Sequence, residues 1–361
     1  MPTIWELLNM PAPTAEPNNI IKKSTKTNNS VLNAAKERKD DEYYTRLSDI
    51  EAECSHFVDQ FKDKIIYMPC DNPKMSEFWH YFHINFTNLG LRKIICSFYD
   101  GTDSTYSIEY FGGNDANLTC GKITPMGTGD FRNASNAKYF DEADIVVTNP
   151  PFSLFREFIA VLTKFNKDFL IIGNMNACKY KEFFPLIRDN KVRLGYMDYG
   201  HTMYFRLGKK GDKASAEVRK EIIASRASDS ALFVPSAENT EKAKGIKSTF
   251  RVDEYGYPFA AVTAYWYTTL NVVAEPYDFG KMPHYNPATY PKYDNYDAIE
   301  VGKLKDIPGD YFECMGVPIT FFEKWDKSIF KIIDSVIPVL DGKNKYQRLI
   351  IKRIDVDPKQ A

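Results

Sequence analysis

The sequence predicts an α/β protein built on a mostly parallel sheet with helices on both faces and an additional lobe. Two observations lead there. From about residue 64 to residue 200, short apolar runs alternate with amphipathic segments, as in strands covered on both faces by crossover helices. One of those runs, DIVVTNPPFSLF at 144–155, passes directly into two prolines beyond a strand's carboxyl end, where such sheets hold their ligands.

The elements follow in order. Residues 1–40 carry an apolar patch (Ile4, Trp5, Leu7, Leu8), prolines 11, 13 and 17, and the cations Lys22, Lys23, Lys26, Lys36, Arg38 and Lys39. They read as a terminal arm, either mobile or touching phosphates. KIIYMP (64–69) reads as a strand and PKMSEFWHYFHINF (73–86) as a helix with proline near its first turn. RKIICSFY (92–99) and ADIVVT (143–148) are strands, SLFREFIAVLTKF (153–165) a helix with Ser153 as its cap, and DFLIIGN (168–174) a strand. CKYKEFFPLI (178–187) reads as a helix and KVRLGYM (191–197) as a strand.

The regularity lapses after 200. Residues 201–250 hold ten Lys or Arg against six Asp or Glu, the composition of a solvated insertion or of a phosphate-binding one. FAAVTAYWYTTL (259–270) returns to strand patterning. The Tyr- and Pro-rich span 276–299 reads as ordered loops, because so many rings can be buried. FFEKWDKSIFKII (321–333) reads as a helix and YQRLIIKR (346–353) as a basic strand.

Bulk composition excludes several classes. A net charge of −1 over 361 residues gives no global attraction to a polyanion, so any nucleic-acid surface is local. Six cysteines (54, 70, 96, 120, 178 and 314) without C-x-x-C spacing argue against zinc sites and a disulfide framework, and fit a reducing cytoplasm. No apolar run approaches the ~18–20 residues of a membrane span, and no secretion signal opens the chain.

The chemistry concentrates at 149–152. Asn149 follows a buried strand, and Pro150 and Pro151 fix the backbone and remove two N–H donors. The Asn149 side-chain oxygen and the Pro150 carbonyl then form two acceptors at a set spacing, as a planar amino group requires, with Phe152 as a flat face beside them. Two acceptors gripping an aromatic amine favour a more tetrahedral nitrogen whose lone pair can attack. Positive charge grows on that nitrogen, so the dipoles and the ring favour the transition state over the ground state.

Asn-Pro-Pro-Phe resembles motif IV of the S-adenosylmethionine-dependent amino-methyltransferases. DEYYT (41–45), IIYMPCDNP (65–73), GDFR (129–132), FLIIGN (169–174), YPKYDNYDAI (290–299) and MGVPITF (315–321) are similar to the adenine-specific EcoRI-type DNA methyltransferases. The resemblance covers roughly residues 40–200 and 255–353, and the last two motifs do not belong to methyltransferases at large. It implies a Rossmann-like methyltransferase sheet over 41–200, with 201–361 supplying a target-recognition insertion and strands and a helix that complete the core.

Residue by residue, it implies Tyr44 and Thr45 against the methionine part of the cofactor, a stretch also readable as a helix start capped by Asp41 or Thr45. Pro69, Cys70 and Asp71 match the first cofactor loop, which here lacks the usual glycines. Tyr99 and Asp100 match the ribose-binding position, where Asp100 before Gly101 equally suits a turn. Asp130 and Phe131 match the reader of the cofactor's adenine, or a simple Gly-Asp turn. Asn149 touches both cofactor and substrate. Asn174 and Trp266 fall at pocket-wall positions, or at a strand end and in the core.

The implied activity is methyl transfer from S-adenosyl-L-methionine to N6 of an adenine flipped out of double-stranded DNA, with no metal. The resemblance further implies a short palindromic target, with GAATTC as the candidate, read by a cytoplasmic monomer of bacterial or phage origin. A cognate restriction endonuclease would act without a stable complex. Flipping costs a few kcal/mol. Stacking on Phe152, ~1–3 kcal/mol, offsets part of it, and phosphate contacts from 22–39, 201–250 and KNKYQRLIIKR (343–353) supply the rest. The motif also leaves open an amino-methyltransferase of RNA or protein glutamine, and an inactive DNA-binding antirestriction or regulatory protein.

Overall fold

The structure, a computed structural model, describes residues 44–102, 105–197, 202–206, 250–252, 258–273 and 282–355. The arm over 1–40, Asp41 and most of the basic insertion lie outside them. The chain divides into two compact units, residues 1–175 with 200–270, and residues 176–199 with 271–361.

In chain order the elements are β1 (Tyr44–Thr45), α1 (Leu47–Cys54), α2 (Val58–Phe61), β2 (Ile65–Met68), α3 (Glu77–Ile84), β3 (Lys93–Ser97), β4 (Tyr106–Tyr110), β5 (Lys122–Pro125), α4 (Ala137–Glu142), β6 (Ile145–Thr148), α5 (Phe155–Lys164) and β7 (Asp168–Asn174). The second unit then takes α6 (Phe184–Arg188) and β8 (Arg193–Leu194), and the first takes β9 (Thr202–Arg206), β10 (Phe250–Val252) and β11 (Pro258–Thr268).

The first unit's sheet runs β1-β9-β11-β7-β6-β2-β3-β4-β5, with β10 on β11. It is parallel only at its centre, where β7, β6, β2 and β3 pair. β2 and β6 are buried at every position, as strands covered on both faces must be. Both flanks are antiparallel, β11 against β7 and β4 against β3, so the mostly parallel sheet expected from the sequence is a mixed one. β4 and β5 escape periodicity because Ser107 and Glu109 interrupt the apolar run of β4. Both are buried with partners: the Ser107 hydroxyl bonds that of Tyr139, and Glu109 pairs with Lys93. β9 hides in a basic stretch, yet its Met203 and Phe205 are fully buried in period two.

Other expectations need correction. Pro73 lies before α3: Ser76 is the cap, its hydroxyl accepting from the N–H groups of Phe78 (3.1 Å) and Trp79 (3.3 Å). Ser153 is not the cap of α5, because a 3₁₀ turn over Phe152–Leu154 intervenes and moves that position to Leu154. The helix expected over 178–187 reduces to α6 with a proline in its first turn, and the strand over 191–197 to β8.

The second unit continues with β12 (Ile299–Glu300), β13 (Met315–Pro318), β14 (Phe330–Val336), β15 (Val339–Leu340), β16 (Lys343–Asn344) and β17 (Arg348–Arg353). They form a sheet ordered β12-β13-β17-β14 and a separate β15–β16 hairpin. No helix spans 321–333. A 3₁₀ segment over Ile319–Lys324 gives way to β14, because Asp326 accepts from the Ser328 N–H (2.8 Å) and hydroxyl (2.6 Å) and turns the chain. The aromatic spacing 321, 322, 325 mimics a helix, while the register belongs to the strand.

Over the part of the Tyr-rich span that is described, residues 282–299, Tyr290 and Tyr293 are buried rings that order the loops. Tyr290 donates to the Asp306 carbonyl (2.9 Å), and Tyr293 to Glu300, whose carboxylate also takes Arg348 (2.6 Å). Gly316 leaves the space: a Cβ there would lie 2.6 Å from the Tyr293 ring. Among the described residues, no helix is long and apolar enough to cross a membrane.

Candidate functional site

A cavity opens in the first unit at the carboxyl ends of β2, β3 and β6. Its wall is Tyr44 and Thr45 from β1, Pro69–Asp71 after β2, Ser76–Phe78 at the start of α3, Tyr99 after β3, Gly129–Arg132, and Asn149, Pro151, Ser153 and Leu154 after β6.

Asp71 anchors one side. Its carboxylate is buried and accepts from the hydroxyls of Ser76 (2.6 Å) and Thr148 (2.6 Å), which ties the loop after β2 to the cap of α3 and to the last residue of β6. Its backbone is held as firmly, the N–H donating to the Ser97 carbonyl (3.0 Å) and the carbonyl accepting from the Cys96 thiol (2.6 Å). Burial first, and the Asp71 charge second, push that thiol up, so Cys96 stays protonated.

The GDFR loop forms the opposite side. Buried Asn136 donates to the Asp130 carbonyl (2.7 Å) and accepts from the hydroxyl of buried Tyr67 (3.0 Å), so the ends of β2 and β3 set the loop's height. Phe131 is buried edge-to-face on Phe158 of α5, centroids 5.0 Å apart. Asp130 is gripped by Arg132 through Nε (3.0 Å), Nη2 (2.6 Å) and the backbone N–H (2.9 Å). Those bonds hold its carboxyl below the usual range, and three donor hydrogens, the Nε one shared between both oxygens, leave the carboxylate one lone pair for a further donor.

The elbow after β6 closes the third side. Pro151 is extended, and its carbonyl accepts from the Leu154 N–H (2.9 Å), which locks the turn. Pro150 is buried, and Asn149 and Pro151 reach the cavity wall. Phe152 lies off that wall, edge-to-face on Phe205 at 6.0 Å. Phe205 is paired with Thr45, so β9 braces both β1 and the elbow.

The structure thus brings together Tyr44, Thr45, Pro69, Cys70, Asp71, Tyr99, Asp130, Phe131, Asn149 and Pro151. It places Asp100 outside the wall, in a turn where its carboxylate accepts from the Thr102 N–H (3.0 Å) and hydroxyl (2.7 Å). Trp266 is a core residue, edge-to-face at 5.8 Å on Phe78, and Phe78 is the ring that reaches the wall. Asn174 ends β7 away from it. Tyr44 and Thr45 form a strand and cap no helix.

Sequence reasoning missed Ser76, Glu77, Gly129 and Arg132. Ser76 carried a legible signal, a serine ahead of an acidic first turn. The wall holds three carboxylates (Asp71, Glu77, Asp130) and one guanidinium, Arg132. It also holds the buried Thr45 hydroxyl, which has no hydrogen-bond partner among the described residues. An acidic cavity with an unspent hydroxyl suits a ligand carrying positive charge and polar groups. No group of ligating side chains suited to a metal ion occurs among the described residues.

The model of the family described as "Adenine-specific methyltransferase EcoRI" matches residues 31–229 and 223–356. The chain is 37% identical over 346 residues to the Type II methyltransferase M.EcoRI of Escherichia coli, covering 90% of this chain and 96% of that protein. It is 30% identical to M.MpnI of Mycoplasma pneumoniae (89% and 98% covered) and 31% identical to M.MgeORF184P of Mycoplasma genitalium (89% and 98%), both Type II methyltransferases. No solved structure matches.

Proposed function

The chain belongs to the EcoRI family of adenine-specific methyltransferases, and from that premise we propose that it methylates N6 of adenine in duplex DNA at a specific site, with S-adenosylmethionine as donor. The observation that carries this reading is the shared wall: the Asn149–Pro151 elbow and the Asp130–Phe131 loop line one cavity. When bound, the donor supplies a methyl group on a sulfonium.

The residues divide the rest of the work. Asp130 and Phe131 take the cofactor's adenine, the free lone pair of Asp130 accepting from its amino group while Arg132 keeps the carboxylate charged. Tyr99, with Asp100 behind it, faces the ribose. Tyr44, Thr45 and the loop from Pro69 to Asp71 take the methionine part, where the Thr45 hydroxyl finds its partner. The Asn149 oxygen and the Pro150 carbonyl receive the amino group of the flipped base, and Phe152 braces the elbow through Phe205 and presents its ring to that base. No strong base is needed, because the proton leaves after the attack.

The direct test is labelled methyl transfer to duplex DNA, RNA and protein. Label is expected in DNA as N6-methyladenine. Label confined to RNA or protein rejects the reading.

Glu77 adds a role the sequence did not suggest. Asp71 is engaged by two hydroxyls and Asp130, beside Arg132, serves the adenine end, whereas Glu77 meets His80 (2.9 Å) and keeps acceptor capacity on the wall beside the methionine side. Its expected ligand is the cofactor's α-ammonium. Glu77→Gln should weaken S-adenosylhomocysteine about tenfold or more, in line with ~1.5–3 kcal/mol for a hydrogen bond to a charged group. Methylthioadenosine, which lacks the amino-acid end, should bind as before. Equal loss for both ligands in calorimetry would mean that Glu77 only shapes α3.

A further inference from the structure

YPKYDNYDAI at 290–299 is a motif that the methyl-transfer site leaves without a task, and two of its polar side chains, Asp294 and Asn295, go to one object, the β15–β16 hairpin and the strand leading into it. Asp294 accepts from the Gly342 N–H (2.8 Å). Asn295 accepts from the Val339 N–H (2.7 Å) and donates to the Ile337 carbonyl (3.3 Å), and the Asp294 N–H donates to the Val339 carbonyl (2.8 Å). The turn is left-handed at both central residues, Asp341 (φ 52°) and Gly342 (φ 69°), the form whose twist matches a tight hairpin. A further bond, from the Lys345 N–H to the Pro338 carbonyl (2.8 Å), fixes the chain leaving it.

What this clamp holds out is polar, cationic and aromatic. Residues 341–346 are all exposed, and Tyr346 is 87% exposed, the most exposed of the large hydrophobic side chains among the described residues. The structure also sorts the cations of KNKYQRLIIKR. Arg348 is committed to Glu300, Arg353 to Asp355, and Lys352 to Glu313. Lys343 and Lys345 have no ion pair or side-chain hydrogen bond among the described residues, and Asp341 is the one acid of the exposed tip. Two uncommitted ammonium groups beside a bare ring, on a backbone already rigid, fit a polyanion that also offers planar or sugar surfaces.

We propose that the β15–β16 hairpin is a duplex-DNA contact, Lys343 and Lys345 neutralising phosphates and Tyr346 laying its ring against the nucleic acid. This rests on the reading of the protein as a DNA methyltransferase. The two chemistries separate in one experiment, equilibrium binding of the full chain to a duplex bearing its methylation site across a salt series. Lys343→Ala with Lys345→Ala should lower the slope of log Kobs against log[salt] by about 1.8, two phosphates at ~0.9 each. Tyr346→Ala should weaken binding on the order of tenfold with the slope unchanged. All three positions are exposed, so cofactor-product binding and the melting temperature should stay at wild-type values. Wild-type slope and affinity in every variant overturn the hairpin alone. A wild-type chain that neither binds nor methylates duplex DNA overturns the reading beneath it.

Discussion

Asn149→Ala is expected to lower single-turnover methyl transfer to duplex DNA by about 10²- to 10³-fold, the ~2.7–4 kcal/mol measured where one preorganised polar group facing developing charge is removed. The reason lies in where Asn149 sits. It follows the fully buried β6, whose last residue is bonded to Asp71, and precedes two prolines, so its backbone cannot move away from the cavity wall as that of a free loop would. Removing it leaves the Pro150 carbonyl as the single acceptor for an amino group whose lone pair remains delocalised. The ground-state contacts proposed for Asp130, Phe131 and Thr45 are untouched, so S-adenosylhomocysteine and DNA should bind within a few-fold of wild type. Asn149→Asp keeps the acceptor, and its carboxylate faces the positive charge growing on nitrogen, so it should retain clearly more activity than Asn149→Ala. An alanine variant within tenfold of wild type would remove the elbow from the chemistry.

The centre of the fold was legible because β2, β3, β6 and β7 are nearly uninterrupted apolar runs, and a parallel core demands that of its strands. The elbow was legible for a related reason. Two prolines straight after such a run leave the chain one rigid exit. Legibility failed where polar residues do the packing. Ser107 and Glu109 of β4 point inward and are satisfied there by Tyr139 and Lys93, a solution that alternation counts against. The span 321–333 failed differently. Its rings stand at helical intervals, but the Asp326 turn, a matter of one side chain reaching two residues ahead, decides for a strand. At the site, the rigid residues after β6 pointed to Asn149 and the family resemblance to Asp130, whereas Glu77 and Arg132 became visible only once α3 and the GDFR loop faced one cavity.

Gly129→Ala is the second substitution with a large expected effect, and it tests the far wall without touching a functional group. A Cβ at residue 129 would overlap the Phe98 carbonyl oxygen and come within 2.9 Å of Thr105 Oγ1. The collision is with backbone, so no side chain can rotate to relieve it. Nor can the loop easily retreat. Thr105 holds it from beneath, its N–H and hydroxyl both donating to the Gly127 carbonyl (3.1 and 2.9 Å) and its carbonyl accepting from the Met126 N–H (3.0 Å), while Asn136 holds Asp130 from the other side. Overpacking of this kind costs ~1–3 kcal/mol even where neighbours yield. Here the strain must be released by moving Asp130 and Phe131, the residues read as the adenine end of the cofactor site. Affinity for S-adenosylhomocysteine should fall about 100-fold or more, with a lower melting temperature. Gly302→Ala supplies the control, since a Cβ at residue 302 meets nothing within 4 Å, and it should leave both quantities unchanged. If Gly129→Ala proves folded by circular dichroism and still binds the cofactor product like wild type in calorimetry, then the GDFR loop is not the wall against which the cofactor's adenine is held.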